Sequence, residues 1–182
     1  MRPAKVAEEA VADALVEAFR RDGYAGAAVR DLCEATGLKS ASLYHRFPRG
    51  KADMALAALD RVAGGFGQDV VAPLEAAGDP AARLRKSAAG LRRHYAGGRL
   101  ACLLAVLAAS EAPEPVREAI AAALGRWRAA LAGALAEAGA GSPGDEAEDR
   151  IAAVQGALVL ARGTGSTAAF RRAVSRMEEP PR

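Results

Sequence analysis

The sequence predicts an all-α protein, with an N-terminal three-helix domain containing a helix-turn-helix over residues 1–50 and a larger helical domain over 51–182. Three observations carry this expectation. The residues are 51% hydrophobic but only 4% aromatic, so the core is built mainly from Ala, Leu and Val. Ala lets helices pack closely, and strand-type runs of β-branched and aromatic residues are nearly absent. Apolar residues recur at helical spacing along most of the chain. Between the periodic segments stand breaks rich in glycine and proline, among them Pro48-Arg49-Gly50, Gly78-Asp79-Pro80 and Gly97-Gly98, each suited to a helix end. A chain of 182 residues is long enough to bury a full core.

Residues 4 to 22 read as the first helix, because Ala7, Val11, Ala14, Leu15, Ala18 and Phe19 share one face while Glu8, Glu9, Asp13 and Glu17 lie on others. Asp22-Gly23 is its expected stop. A second, short helix spans roughly 28 to 36, with Leu32 placed to pack inward and Ala28 at the cap position. Gly37 ends it. Ser40 and Ser42 can cap or open a third helix over about 40 to 47, which Pro48 and Gly50 terminate. A helix this short is marginal alone and must be held by neighbours; two short helices across a glycine turn describe a helix-turn-helix. The net charge of +3 is weak evidence for nucleic acid, so local distribution matters more. Between residues 37 and 51 the charged residues are Lys39, Arg46, Arg49 and Lys51, without Asp or Glu, and Tyr44 and His45 add hydrogen-bond donors. That composition suits a surface facing DNA.

Lys51 to about Ala76 reads as a long helix through Met54, Leu56, Leu59, Val62, Phe66, Val70 and Leu74. Gly64-Gly65, at about 1 kcal/mol each in a helix interior, mark a bend or a local weakness. Asp79 is placed to cap the next helix, with Pro80 in its first turn. From Ala81 to about Ala96, Leu84, Ala88, Leu91 and Tyr95 make the inner face, while Arg83, Arg85, Lys86, Arg92 and Arg93 read as a solvated basic face. His94 reads as surface or packing. Leu100 to Ser110 is apolar on every side and is expected to be buried all round. A long helix from Pro113 to about Ala138 carries Val116, Ile120, Leu124, Trp127, Leu131 and Leu135 on one stripe. Another, Glu146 to Arg162, carries Ile151, Val154, Leu158 and Ala161. A short last helix spans 164 to 177, and 178 to 182 read as a frayed end.

The apolar first helix, the Gly37 turn, and Leu43, Tyr44 and Phe47 followed by Lys51 at the start of a long helix together resemble the N-terminal domain of TetR-type transcriptional regulators. The Phe47-Pro48-Arg49-Gly50-Lys51 form is one residue longer than the commoner F-x-x-K and resembles the LmrA/YxaF-like branch. So does the C-terminal half, from Ala101-Cys102-Leu103 through Trp127-Arg128-Ala129-Ala130-Leu131 to Gly156 to Arg162. The resemblance implies a homodimer whose last two long helices pair with their copies in an isologous four-helix bundle. It also implies a double-stranded operator as partner and a small apolar or aromatic effector bound in the C-terminal domain. The chain departs from the pattern at Ala28, where a Ser or Thr usually caps the helix; losing that cap typically costs ~0.5–2 kcal/mol and removes a hydroxyl able to reach a phosphate. Arg30 is the remaining anchor there.

Ser42 and His45 are the candidates for base edges in the major groove. Lys39, Tyr44 and Lys51, with Arg30, are the candidates for the backbone, and Ser40 is a further DNA-binding candidate. Phe66, Tyr95, Leu103, Leu107 and Trp127 are the candidate ligand lining. No catalytic or metal constellation stands out: His45 and His94 are the only histidines, in different helices, and neither has a Cys, Asp or Glu at ligand spacing. No cofactor is implied. Cys33 and Cys102 lack C-x-x-C spacing, no basic-then-apolar leader follows Met1, and no run of ~18 uncharged apolar residues offers a membrane span; a reducing cytoplasm is the expected compartment. The alternatives to a ligand-responsive repressor are a helical interaction protein of the same fold without operator specificity, and an unrecognised helical enzyme.

Overall fold

Leu15 and Phe19 lie a turn apart on α1, Glu8–Gly26, and both are fully buried in the computed structural model of the chain, which describes residues 8–179 and Pro181. The described residues are helical and contain no strand. They form α2 (Val29–Thr36), α3 (Ser40–Arg46), α4 (Lys51–Phe66), a π turn (Gly67–Val71), α5 (Ala72–Glu75) and α6 (Pro80–His94). A 3-10 turn (Ala96–Gly98), α7 (Leu103–Ala108), α8 (Glu114–Glu137), α9 (Pro143–Thr164) and α10 (Ala168–Arg176) follow. The chain divides into two compact units, Met1–Ala63 with Leu103–Ala121 and Gly64–Cys102 with Ala122–Arg182.

In the first unit α1 packs against α2 and α7, and α2 against α3. Leu15, Phe19, Leu32, Leu43 and Met54 are completely buried, each removal from water being worth about 1.5–3 kcal/mol. This is why two helices of eight and seven residues persist although neither is stable alone. Gly37 supplies the turn between them: at φ 67° and ψ 13° it is left-handed, and its N–H donates to the Glu34 carbonyl. Most side chains would strain the backbone there, and glycine does not.

Several expectations are corrected in this unit. Regular helical backbone in α1 breaks at Gly23 as expected, at φ 69° and ψ −178°, but beyond this kink the helical path resumes to Gly26; the part expected at 4–7 lies outside the described residues. Of the two roles open to Ser40, it takes the second: it opens the helix, and Lys39 occupies the cap position without a side-chain bond. Nor is 100–110 buried all round. Its helical part, α7, buries Leu103 and Leu107 while Ala108 and Ala109 are exposed, because a helix this short packs one face, here against α1.

The second unit is organised by α6. Asp79 caps it, accepting from the Ala81 and Ala82 N–H groups at 3.2 and 3.0 Å, with Pro80 in the first turn. Irregularity in the preceding helix falls after Gly64-Gly65, in the π turn, and its cause is tertiary. A Cβ built on Gly90 would lie 1.9 Å from the Asp69 carbonyl oxygen, so α6 offers a glycine notch into which the widened turn seats its main chain. Arg93 fastens the same turn by an ion pair to Asp69 at 2.7 Å.

Arg83 is not on a solvated face. It is buried, donates through Nε to the Leu74 carbonyl at 3.0 Å and pairs with Glu137, tying the ends of α5 and α8 to α6. The C-terminal segment is also held rather than frayed: buried Arg150 donates to the carbonyls of Met177 at 3.2 Å and Glu179 at 3.1 Å, and Arg92 pairs with Glu178 at 2.5 Å. Pro180 and Arg182 lie outside the described residues.

Candidate nucleic-acid interface

Leu43 anchors α3 and is fully buried, whereas Ser40, Ala41, Ser42, Tyr44 and His45 are exposed on the rest of the helix. One inward residue on a two-turn helix thus leaves five of its seven residues turned to solvent. Tyr44 is 46% exposed and its ring rests against Gly50, whose notional Cβ would lie 3.4 Å from Tyr44 Cε1. The aromatic side chain is therefore braced at its base and open at its outer side.

Charge on this surface is distributed unevenly. Arg49 is committed to Asp53, donating from its backbone N–H at 2.8 Å and from Nε at 2.7 Å. Arg46 is half-buried, with Nη1 sheltered and without a hydrogen-bond partner. Lys39 is exposed. Arg30 pairs with Asp31 at 3.1 Å, but its side chain is 81% exposed, and so open a pair is weak enough to be exchanged for a phosphate. Ala28 begins α2 without a side-chain cap.

Lys51 opens α4, and its ammonium sits 4.6 Å from the centroid of the Tyr24 ring, within cation–π range. No carboxylate pairs with it among the described residues. Burial pushes the Tyr24 phenol above its ordinary value, so the ring facing Lys51 is a neutral phenol at physiological pH. Nearby, hydrogen bonding to Arg21 holds the Asp22 carboxyl below its ordinary range, and it stays ionised.

The five candidate lining residues fall into two groups. Phe66, Tyr95 and Trp127 come together in the second unit: Phe66 meets Trp127 edge-on at 5.0 Å and Tyr95 at 6.5 Å. His94 joins the cluster, 5.1 Å from Phe66 and 4.9 Å from Tyr95. Trp127 is 1% exposed, and its Nε1 donor has no partner among the described residues. Leu103 and Leu107 belong instead to the first unit, on α7. A cavity of about 400 Å³ in the second unit involves none of the five; Asp145, Asp149, Arg150 and Arg176 are among its lining residues. Among the described residues no cluster of His, Cys, Asp or Glu is arranged to hold a metal, and no helix is long and apolar enough to cross a membrane. Cys33 is a half-buried and Cys102 a buried free thiol.

Residues 11–58 match the pattern of the bacterial regulatory proteins of the tetR family, and residues 80–176, more than half the chain, match the C-terminal domain of LmrA/YxaF-like transcriptional regulators. The chain belongs to the TetR family, in its LmrA/YxaF-like branch. It is thus a TetR-family transcriptional regulator with a helix-turn-helix DNA-binding fold. Solved TetR-family structures share the fold. A regulator from Agrobacterium tumefaciens superposes with a TM-score of 0.78 at 24% identity, over 94% of this chain and 97% of that one. A regulatory protein TetR from Rhodobacter sphaeroides gives 0.79 at 23%, over 96% and 98%. AibR, in complex with isovaleryl coenzyme A and operator DNA, gives 0.73 at 16%, over 96% and 99%. No curated protein matches the sequence.

Two parts of this regulator's surroundings were missed from sequence. Tyr24 carries a signal, as an aromatic residue directly after Asp22-Gly23, but its partner Lys51 is far off in sequence. Ser110, which meets Tyr24 across the fold, has no local signature at all.

Proposed function

We propose that this TetR-family regulator is a cytoplasmic, homodimeric repressor that binds a palindromic operator and is released from it by a small apolar or aromatic ligand. The observation that carries the DNA reading is the surface of α3, where Ser42, Tyr44 and His45 are exposed around a fully buried Leu43. In this reading residues 1–50 form the DNA-binding domain and 51–182 the ligand-binding and dimerisation domain. Ser42 and His45 meet base edges in the major groove. Arg30, Lys39, Ser40, Tyr44 and Lys51 hold the phosphates and fix the register without reading sequence.

The aromatic cluster of Phe66, Tyr95 and Trp127 is the proposed ligand site. AibR was solved with both isovaleryl coenzyme A and operator DNA, so this fold accommodates both kinds of partner. For release, the ligand must bind more tightly to the form whose reading helices are wrongly spaced than to the DNA-bound form. The matching spacing for a two-fold dimer is one turn of duplex, ~34–36 Å, or somewhat wider.

Retardation of a palindromic fragment from the protein's own upstream region tests the reading. Specific binding survives competitor DNA and falls with salt along a steep line. Binding that competitor abolishes equally for every sequence would favour the second reading, a helical interaction protein of the same fold without operator specificity. The uncapped Ala28 is the observation on that side.

A further inference from the structure

We propose that Tyr24 is a positioning residue for phosphate binding: its ring holds the Lys51 ammonium in place, and Ser110 sets the ring. The inference rests on the reading of Lys51 as a phosphate contact. A lysine side chain gives up substantial rotamer freedom when it docks on a phosphate, and one already held loses less. What holds it matters. A carboxylate neutralises the charge and competes with the phosphate, as Asp53 does for Arg49 at 2.7 Å. A neutral ring attracts the cation through its quadrupole and leaves the net charge intact, and the Lys51 ammonium sits 4.6 Å from that ring.

The ring is itself fixed from two sides. Tyr24 stacks with the buried Phe19 at 6.3 Å and an interplanar angle of 5°. At Gly23 the backbone leaves helical values, and the next N–H, that of Tyr24, donates to Ser110 Oγ at 3.3 Å. The Ser110 hydroxyl in turn donates to the Leu107 carbonyl at 2.9 Å. One hydroxyl therefore closes the end of α7 with its proton and receives Tyr24 with its lone pairs, a double role that alanine cannot fill. Any displacement of α7 against α1 then reaches Lys51 through one hydrogen bond and one ring.

The test uses the full-length protein with its lysine amines converted to 13C-dimethylamines, which keep their charge. The sequence has four lysines, Lys5, Lys39, Lys51 and Lys86, so the Lys51 signal is assigned by its loss in Lys51→Ala. The expected result is an upfield ring-current shift of that signal in the DNA-free protein, retained in Tyr24→Phe, lost in Tyr24→Leu and reduced in Ser110→Ala. Operator affinity is expected to fall about two- to fivefold in Tyr24→Leu, the range of an exposed cation–π contact, with Tyr24→Phe unchanged. Tyr24→Leu combined with Lys51→Ala should bind no more weakly than Lys51→Ala alone.

An unshifted Lys51 signal in the unsubstituted protein, which needs no variant to fold, overturns the proposal. So does additive loss in the double variant. Ser110→Ala with an unmoved Lys51 signal overturns the Ser110 step. If Lys51→Ala leaves affinity and salt slope unchanged while the shift persists, the phosphate reading of Lys51 fails with the contact intact, an outcome distinct from additivity.

Discussion

At Ala28 the first helix of the DNA-binding motif starts with extended backbone, φ −72° and ψ 148°, and nothing on its side chain to accept the free N–H groups behind it. The backbone already has cap geometry, so Ala28→Thr is expected to stabilise the protein by about 1 kcal/mol, read as a rise in thermal midpoint. It also adds a hydroxyl beside the DNA surface, so non-operator affinity should rise with stability. Ser42→Ala and His45→Ala belong to the other class. Each should change which operator bases are preferred, by about 1–3 kcal/mol per lost contact, with little effect on binding to random DNA; selection from a randomised operator library measures this. Equal weakening on every sequence would place both residues on the backbone instead.

Among the elements, the most exacting fit is between the π turn and α6. Gly90→Ala puts a Cβ where the Asp69 carbonyl lies, at 1.9 Å, so the turn must move or re-register. Destabilisation of about 1–3 kcal/mol by urea unfolding is expected, the usual range for overpacking. Gly64→Ala, at an exposed position with nothing near its notional Cβ, should instead stabilise by several tenths of a kcal/mol to about 1.

This contrast explains what was legible in the sequence. The helices bounded by local chemistry were: α2 by Gly37, α6 by Asp79 and Pro80, and α8 by its apolar stripe from Val116 to Leu135. The all-α fold followed from the same signals. The π turn was not legible, since it exists because of a notch on another helix, and the burial of Arg83 was not, since its partners Leu74 and Glu137 come from α5 and α8. In the interface, the exposure of Ser42 and Tyr44 could be read from the inward Leu43. The pairing of Lys51 with Tyr24 could not, because the two residues come from different helices and meet only in the packed fold.

For the molecule as a whole, the long C-terminal helices carry exposed apolar side chains. Val159 is 68% and Leu160 55% exposed, beside Gly156 on the same helix, and Ala122, Gly125 and Ala129 are exposed on α8. In the proposed homodimer these surfaces are covered by a second copy. Burying one Val or Leu is worth about 1.5–3 kcal/mol, and the two-fold axis counts each substitution twice. Leu160→Glu is therefore expected to shift sedimentation toward the monomer and to cost operator affinity steeply, since each half then binds alone. An unchanged dimer would move the interface elsewhere.

The two free thiols differ in burial, which offers a direct ruler for the proposed release. Cys102 is buried and Cys33 only half-buried on α2, so a nitroxide reagent would modify Cys33 selectively without prior mutagenesis. In a homodimer this gives one spin on each reading head, and pulsed dipolar spectroscopy would report their separation with operator, with effector, and with neither.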